Sequence, residues 1–392
     1  MSQEPLVFVC SHPIQYLVPL FRELTKETNL EVLYFSDVSV RGELDKDFGT
    51  KVKWDIPLLE GYKSVFIKNW SNSRSMDNRF FDAFNPGVFG SIRKSKSKVI
   101  IINGWTYSSN WMVLIASKLF GKKVWLRAES PLNQELRKSK KVLLLKKLLL
   151  KNFLFPVFID KCLYIGTENR KFFSHFGIKD KNLVYTPYAV DNDYFRNSYA
   201  DKSIDDLRKQ LQLPLDKKII MFSGKFIQKK RPLDLIKAFH LLNSDEYLLL
   251  MVGEGELRGE MENYIQQHQL KNTVITGFIN QALIPAYYKV ADVFVMCSGM
   301  GETWGLSINE AMNFDKPVLV SRTCGSYADL VQEGVNGYTF EEGDIEKLSQ
   351  CLKKILTNDN LRLSMGKASG ELVKKFSIKE IVDNITVALN KI

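Results

Sequence analysis

"ADVFVMCSGMGETWGLSINEAMNFDKPVLVS", residues 291–321, decides how the rest of the chain is read. "DVFVMCS" is a short apolar run of the kind a buried parallel strand needs, "SINEAMNF" reads as a helix, and "KPVLVS" as the next strand. Gly301 and Gly305 then fall on a strand-to-helix turn, where backbone N–H groups lack internal partners and favour anions. Glu302 lies on that turn. Glu310 follows about two helical turns later, on the side facing back to it. Such a crevice suits a polar, anionic ligand.

The same rhythm runs outward in both directions. Strands are expected at "LVFVCS", "EVLYFS", "KVIIIN", "KVWLRAE", "KCLYIGT" and "NLVYTPY", then again at "KKIIMFSG", "YLLLMVGEG" and "NTVITGF", with helices between. Short apolar strands alternating with helices predict an α/β chain of two doubly wound, Rossmann-like domains with a central cleft between them. A length of 392 residues agrees with two domains. The expected division is 1–195, a polar linker at 196–215, 216–375, and a final helix at 376–392 that packs back toward the first domain. One stretch, from Arg41 to Asn85, is long, aromatic-rich and irregular, and reads as a cover over the first domain's half of the cleft.

Composition excludes several classes. With 45% hydrophobic and 25% charged residues and no low-complexity tract, the chain is globular. Five scattered cysteines without a C-x-x-C pair fit reduced, buried thiols better than a disulfide frame or zinc site. "PLVFVCS" begins a strand almost at once, so no signal peptide is read, and no run is long and apolar enough to span a membrane. The expected location is cytoplasmic, with peripheral attachment to the inner face of a membrane as an option. A net charge of +11 fits nucleic acid, an anionic membrane or phosphorylated small molecules. Two clusters carry much of it: Arg93 to Lys98, and a stretch at 136–155 with no acid between Leu136 and Ile159. The latter reads either as a surface helix packing its apolar face on the first domain or as an amphipathic helix on anionic lipid.

Two further loops bear on chemistry. "SGKFIQKKRP" places Lys225, Lys229, Lys230 and Arg231 before a helix opened by Pro232, where a diphosphate clamp and a solvated basic loop are both possible readings. "VGEGELRGEM" puts Gly253 and Gly255 after a strand, implying close backbone approach to a ligand. The third glycine is misplaced and no acid follows at the ribose position, so a nicotinamide cofactor is disfavoured.

Taken together, these motifs and the opening stretch resemble, in order and spacing, the donor-binding domain of the retaining family 4 nucleotide-sugar glycosyltransferases, which have a GT-B fold. The likeness is strongest over about 216–375 and rests on Glu302, Gly305, Leu306, Glu310, Ala311, Met312, Pro317 and Val318. It implies a nucleotide-diphosphate sugar as co-substrate, with Glu310 on the ribose hydroxyls and Glu302 on the donor sugar. Lys225 and Lys230 would hold the diphosphate, stabilising the charge that grows as the sugar–phosphate bond breaks. The backbone of Trp304, Gly305 and Leu306 would approach sugar and phosphate, with Gly224 beside the lysines and Phe278 and Ile279 near the base. Lys225 stands where the family more often has Arg, and Asp315 where a Gly usually ends the helix.

Family members usually carry a first-domain His at the end of a strand. Here "VWLRAES" offers Arg127 and Glu129 as acceptor-side candidates, and His12 in "CSHPIQY" is the other candidate, unless it only caps the following helix. "DKD", Asp45 to Asp47, matches a metal motif of the other glycosyltransferase fold but does not follow a buried strand. No metal and no further cofactor are expected. The implied function is retaining sugar transfer to a carbohydrate or lipid-linked acceptor, in polysaccharide or glycolipid assembly. A nucleotide-sugar epimerase of the same fold is the alternative. A non-catalytic nucleic-acid binder is the alternative of a different class, and the paired glutamates argue against it.

Overall fold

The computed structural model describes residues 4–42, 44–45, 50–51, 54–72, 76–77 and 79–392. Asp45 is described only in its backbone, and Asp47 of the "DKD" stretch lies outside the described residues. The chain divides into two compact units, Met1–Glu43 with Val52–Tyr188 and Ile378–Ile392, and Leu44–Lys51 with Ala189–Ser377.

In the first unit, β1 (Pro5–Cys10), β2 (Asn29–Tyr34), β3 (Lys63–Phe66), β4 (Val99–Asn103), β5 (Lys123–Arg127), β6 (Lys161–Tyr164) and β7 (Leu183–Tyr185) form a parallel sheet in the order β3-β2-β1-β4-β5-β6-β7. β3 falls inside the stretch read as irregular. It pairs with Glu31–Tyr34 at the sheet edge, and its residues are largely exposed, so it lacks the apolar run that marks an inner strand. The final helix, Ile378–Leu389, belongs to this unit, against the helix Val18–Glu27 and β7.

In the second unit, β8 (Lys218–Ser223), β9 (Tyr247–Val252), β10 (Thr273–Ile275), β11 (Val293–Met296), β12 (Val318–Ser321) and β13 (Gly337–Phe340) form a parallel sheet in the order β10-β9-β8-β11-β12-β13. Each sheet has its own apolar core of strand and helix side chains. The stretch read as a linker is instead built into this unit. It contains the helix Ile204–Gln210, whose buried Arg208 donates to Asp292 at 3.0 Å and to the carbonyls of Leu215, Lys217 and Val290. A polar sequence can be a packed one when a single guanidinium fork finds this many acceptors.

Strand order reverses between β1 and β4 in the first unit and between β8 and β11 in the second. Loops leaving the carboxyl ends of such strand pairs diverge and leave a crevice, which is where ligands bind in open parallel sheets.

Candidate active site

The chain leaving β8 passes Gly224 and Lys225, makes a tight turn over Gln228–Lys230, and takes a left-handed conformation at Arg231 (φ 51°) before Pro232 opens the next helix. Arg231 is fixed there by its Nε donating to Asp234 at 2.6 Å. The chain leaving β11 meets this turn directly, because the Gly299 N–H donates to the Lys229 carbonyl at 2.8 Å. A β-carbon on Gly299 would fall 2.3 Å from a Glu342 oxygen, and one on Gly301 (φ 96°) 2.9 Å from the Lys229 side chain. Glycine is required at Gly301 by its left-handed backbone, and at Gly299 it leaves room for the Glu342 carboxylate where the two loops cross.

That crossing brings Lys230 and Glu302 together in an ion pair, with Ser298 Oγ donating to the same carboxylate oxygen at 3.1 Å. Burial alone would raise the Glu302 pKa. Lys230 and Lys229, with hydrogen bonds from Lys230 and Ser298, outweigh it and hold the group below the ordinary carboxylate range. Glu302 is thus a buried anion at neutral pH, and Lys230 is the cation it holds in place.

Eight positions on, Glu310 has a separate environment. It sits buried on the helix Leu306–Met312 and accepts from the Tyr288 hydroxyl at 2.6 Å. Trp304 between them turns its side chain into the core, its indole N–H donating to Asn309 at 2.9 Å and its ring 5.9 Å from that of Phe376. Its carbonyl accepts from Cys324 and Ser326. Gly305 holds the left-handed turn (φ 89°) that starts the helix, and Asp315 adopts φ 54° just after it, as a residue replacing a terminal glycine must.

Gly253 and Gly255 have a different reason to be glycine from the one expected. A β-carbon on Gly253 would lie 1.9 Å from the Gly224 carbonyl oxygen, and one on Gly255 2.6 Å from that of Phe226. The Gly224 N–H donates to Val252 O at 3.0 Å and the Phe226 N–H to Glu254 O at 2.8 Å. These glycines let the loops after β8 and β9 lie against each other, carrying Lys225 with them. Phe278 and Ile279, half-buried, follow β10 through Gly277, which bonds to Gly253.

In the first unit, Arg127 ends β5 buried. Its Nη1 donates to Glu129 at 2.9 Å and to Asn103 at 3.1 Å, and its guanidinium lies 4.6 Å from the Tyr188 ring centroid. His12 follows β1, half-buried, with Nδ1 3.0 Å from Ser11 Oγ. It does not cap the next helix, whose N-cap is Leu17. Burial lowers its pKa to about 4, so the ring is neutral at pH 7.

Sequence reasoning missed Ser298, Tyr288, Asn103 and Tyr188. Ser298 closes an apolar strand, and Tyr288 sits in a helix that reads as ordinary core. Only the partner each one meets distinguishes it.

Residues 203–372 match the family model described as "Glycosyl transferases group 1". The poly(glycerol-phosphate) alpha-glucosyltransferase of Bacillus subtilis is 23% identical over 59% of this chain and 33% of its own length. The alpha-monoglucosyldiacylglycerol synthase of Acholeplasma laidlawii is 25% identical over 52% of this chain and 50% of its own. The chain thus spans half or less of the length of these curated relatives. Among solved structures, Anabaena Alr3699/HepE in complex with UDP matches at a TM-score of 0.77 and 17% identity, covering 99% of this chain and 100% of that one. The fold is GT-B, two Rossmann-like α/β units, as the sequence predicted.

Proposed function

We propose that the chain, whose residues 203–372 match the group 1 glycosyl transferase model, is a retaining, family 4 glycosyltransferase acting on a nucleotide sugar. It moves a sugar from a nucleoside diphosphate to an acceptor hydroxyl with retention at the anomeric carbon. The observation that carries the reading is the ion pair between half-buried Lys230 and buried Glu302 where β8 and β11 diverge. Phosphate oxygens compete with Glu302 for Lys230, and a donor-sugar hydroxyl can take up the carboxylate that Lys230 releases. Exchange of one charge-assisted contact for another binds the donor without leaving a buried ion unpaired.

In this reading residues 216–375 hold the donor and 1–195 the acceptor. Lys225 and Lys230 neutralise the leaving diphosphate, so neither metal nor further cofactor is called for. Glu310, oriented by Tyr288, accepts from the ribose hydroxyls. Gly224, Phe278, Ile279 and the backbone at Trp304, Gly305 and Leu306 line the donor. Gly253 and Gly255 shape that wall by packing. The leaving phosphate itself assists deprotonation of the acceptor hydroxyl, so no side-chain nucleophile is required. Neutral His12 supplies a hydrogen-bonding group on the acceptor side, with Glu129, while Arg127 positions Glu129. The UDP complex among its structural relatives supports a nucleoside diphosphate donor. The relatives named for glycerol-phosphate and diacylglycerol products support a carbohydrate or lipid-linked acceptor. Such an acceptor places the enzyme at the cytoplasmic face of a membrane, in peripheral contact through 136–155.

The test is a thermal-shift panel with UDP, GDP, ADP, CMP and NAD on the wild type and Glu310→Ala. A ligand at a hundredfold its Kd adds about 2.7 kcal/mol of stability. One nucleoside diphosphate is expected to stabilise the wild type, and the variant to lose the shift. No shift, or a shift with NAD alone, defeats the donor-site reading.

A further inference from the structure

A helix rich in leucine and lysine ordinarily turns its leucines inward. The helix Lys140–Leu149 does the opposite: none of its residues is buried. Leu144 and Leu145 are 61% and 70% exposed, and Leu148 and Leu149 are exposed beside them. The expectation that this apolar face packs on the first unit is overturned. A charge holds the helix in this attitude. Buried Glu135 accepts from Lys146 at 2.7 Å and from Lys138 at 3.1 Å, and Lys146 Nζ lies 5.0 Å from the Phe172 ring centroid. With Lys146 in the inward place, the leucines next to it face out.

The exposed face continues past the helix. A π-helical turn, Leu150–Leu154, buries its first and last leucines and leads into Phe155–Phe158. Val142, Leu145, Leu149, Phe153 and Val157 recur every three or four residues, all exposed, along one side. Phe153 stacks on Trp111 at 6.4 Å. Trp111 shares a face of the helix Ser108–Leu119 with Ile115 and Leu119, the latter 67% exposed. Beside these lie exposed Lys140, Lys141, Lys147 and Lys151, and no acid occurs between Leu136 and Ile159.

We propose that this surface seats the enzyme in the interface of an anionic bilayer, with the leucines and Phe153 among the upper acyl chains and the lysines on lipid phosphates. The proposal deepens the membrane contact suggested above and rests on it. A phosphate backbone alone would satisfy the lysines but leave the leucines in water, and a neutral apolar partner would do the reverse. An anionic lipid surface supplies both kinds of contact within one plane. The stretch begins only a few residues after Glu129, so attachment here would keep the acceptor-side end of the first sheet close to the lipid headgroups.

Sedimentation of the full chain with vesicles tests this, using phosphatidylcholine alone or mixed with phosphatidylglycerol. The wild type is expected to pellet with the mixed vesicles and stay in solution with phosphatidylcholine. Leu145→Glu/Leu149→Glu should abolish pelleting. Lys140→Gln/Lys147→Gln should weaken it about fivefold per lysine removed. Both variants should keep the wild-type nucleotide shift, which rules out misfolding and separates this proposal's failure from failure of the donor site. The proposal is overturned if the wild type ignores the mixed vesicles, or if the leucine variant pellets like the wild type. A dimer in gel filtration that the leucine variant dissociates, without vesicle binding, would instead make the face a contact between copies.

Discussion

At the carboxyl end of the first sheet, Arg127 is buried against Glu129, Asn103 and Tyr188, and the nearby His12 is held neutral. At the corresponding edge of the second sheet, Lys230 is held by Glu302, with Lys229 alongside. Two sheets of the same architecture therefore handle their cations differently, Arg127 buried and Lys230 half-buried. The guanidinium of Arg127 is engaged by groups of its own unit and braces the loop around it. The ammonium of Lys230 is a compact charge on a flexible stem, tied to one carboxylate that a ligand can replace. The first arrangement holds the shape of its own loop, whereas the second leaves a cation whose carboxylate partner a negatively charged ligand can displace.

Removing the two cations in turn is the severest way to break this contrast. Arg127→Met should lose about 3–5 kcal/mol of stability, because Glu129 and the acceptors around it lose a buried partner, while nucleotide binding per folded molecule stays intact. Urea unfolding and the thermal-shift panel read the two quantities separately. Lys230→Met should do the reverse in emphasis, lowering sugar transfer by roughly 10²-fold and abolishing the nucleotide shift. If Arg127→Met loses nucleotide binding and Lys230→Met does not, the assignment is inverted.

A finer cut concerns Tyr288, which only orients Glu310. Tyr288→Phe should cost about 1–3 kcal/mol of stability, the range for a buried acceptor that loses its donor, and weaken nucleoside diphosphate binding. Calorimetric titration in which the variant binds like the wild type would remove Tyr288 from the donor site.

The smallest effect lies with His12. Its pKa falls from the usual 6.5 to about 4 on folding, so the unfolded chain binds the proton more tightly between those values. Stability should therefore drop as pH falls from 6.5 toward 4, with no further loss from this group below that. His12→Gln should flatten this part of a Tm-against-pH curve. An unchanged slope would mean that the ring is open to solvent.

Much of this was legible in residues 291–321 and its neighbours, for a physical reason. Inner strands of parallel sheets are covered on both faces and read as apolar runs, and the turns after them need glycine where loops cross. That identified the α/β class, eleven of the thirteen strands of the two parallel sheets among the described residues, and Glu302, Glu310 and Lys230 as residues to watch. Edge strand β3, half in water, left no such trace, and neither did β13, whose four residues Gly337–Phe340 are too few and too mixed to stand out as an apolar run. The helix Ile204–Gln210 read as linker because its polar residues give no sign that Arg208 has four acceptors waiting.

Sequence by itself determined the periodicities, the special backbone positions and the supply of charge, because these are local properties of the chain. Tertiary structure alone decided which charges meet. It showed that Lys230 pairs with Glu302, that Tyr288 orients Glu310, and that Gly253 yields to the Gly224 carbonyl. It also showed that Lys146 turns inward to Glu135 and leaves the leucines outside. Each is a contact between residues far apart in sequence or a choice between neighbours of like chemistry, and folding settles it by satisfying the most buried group first.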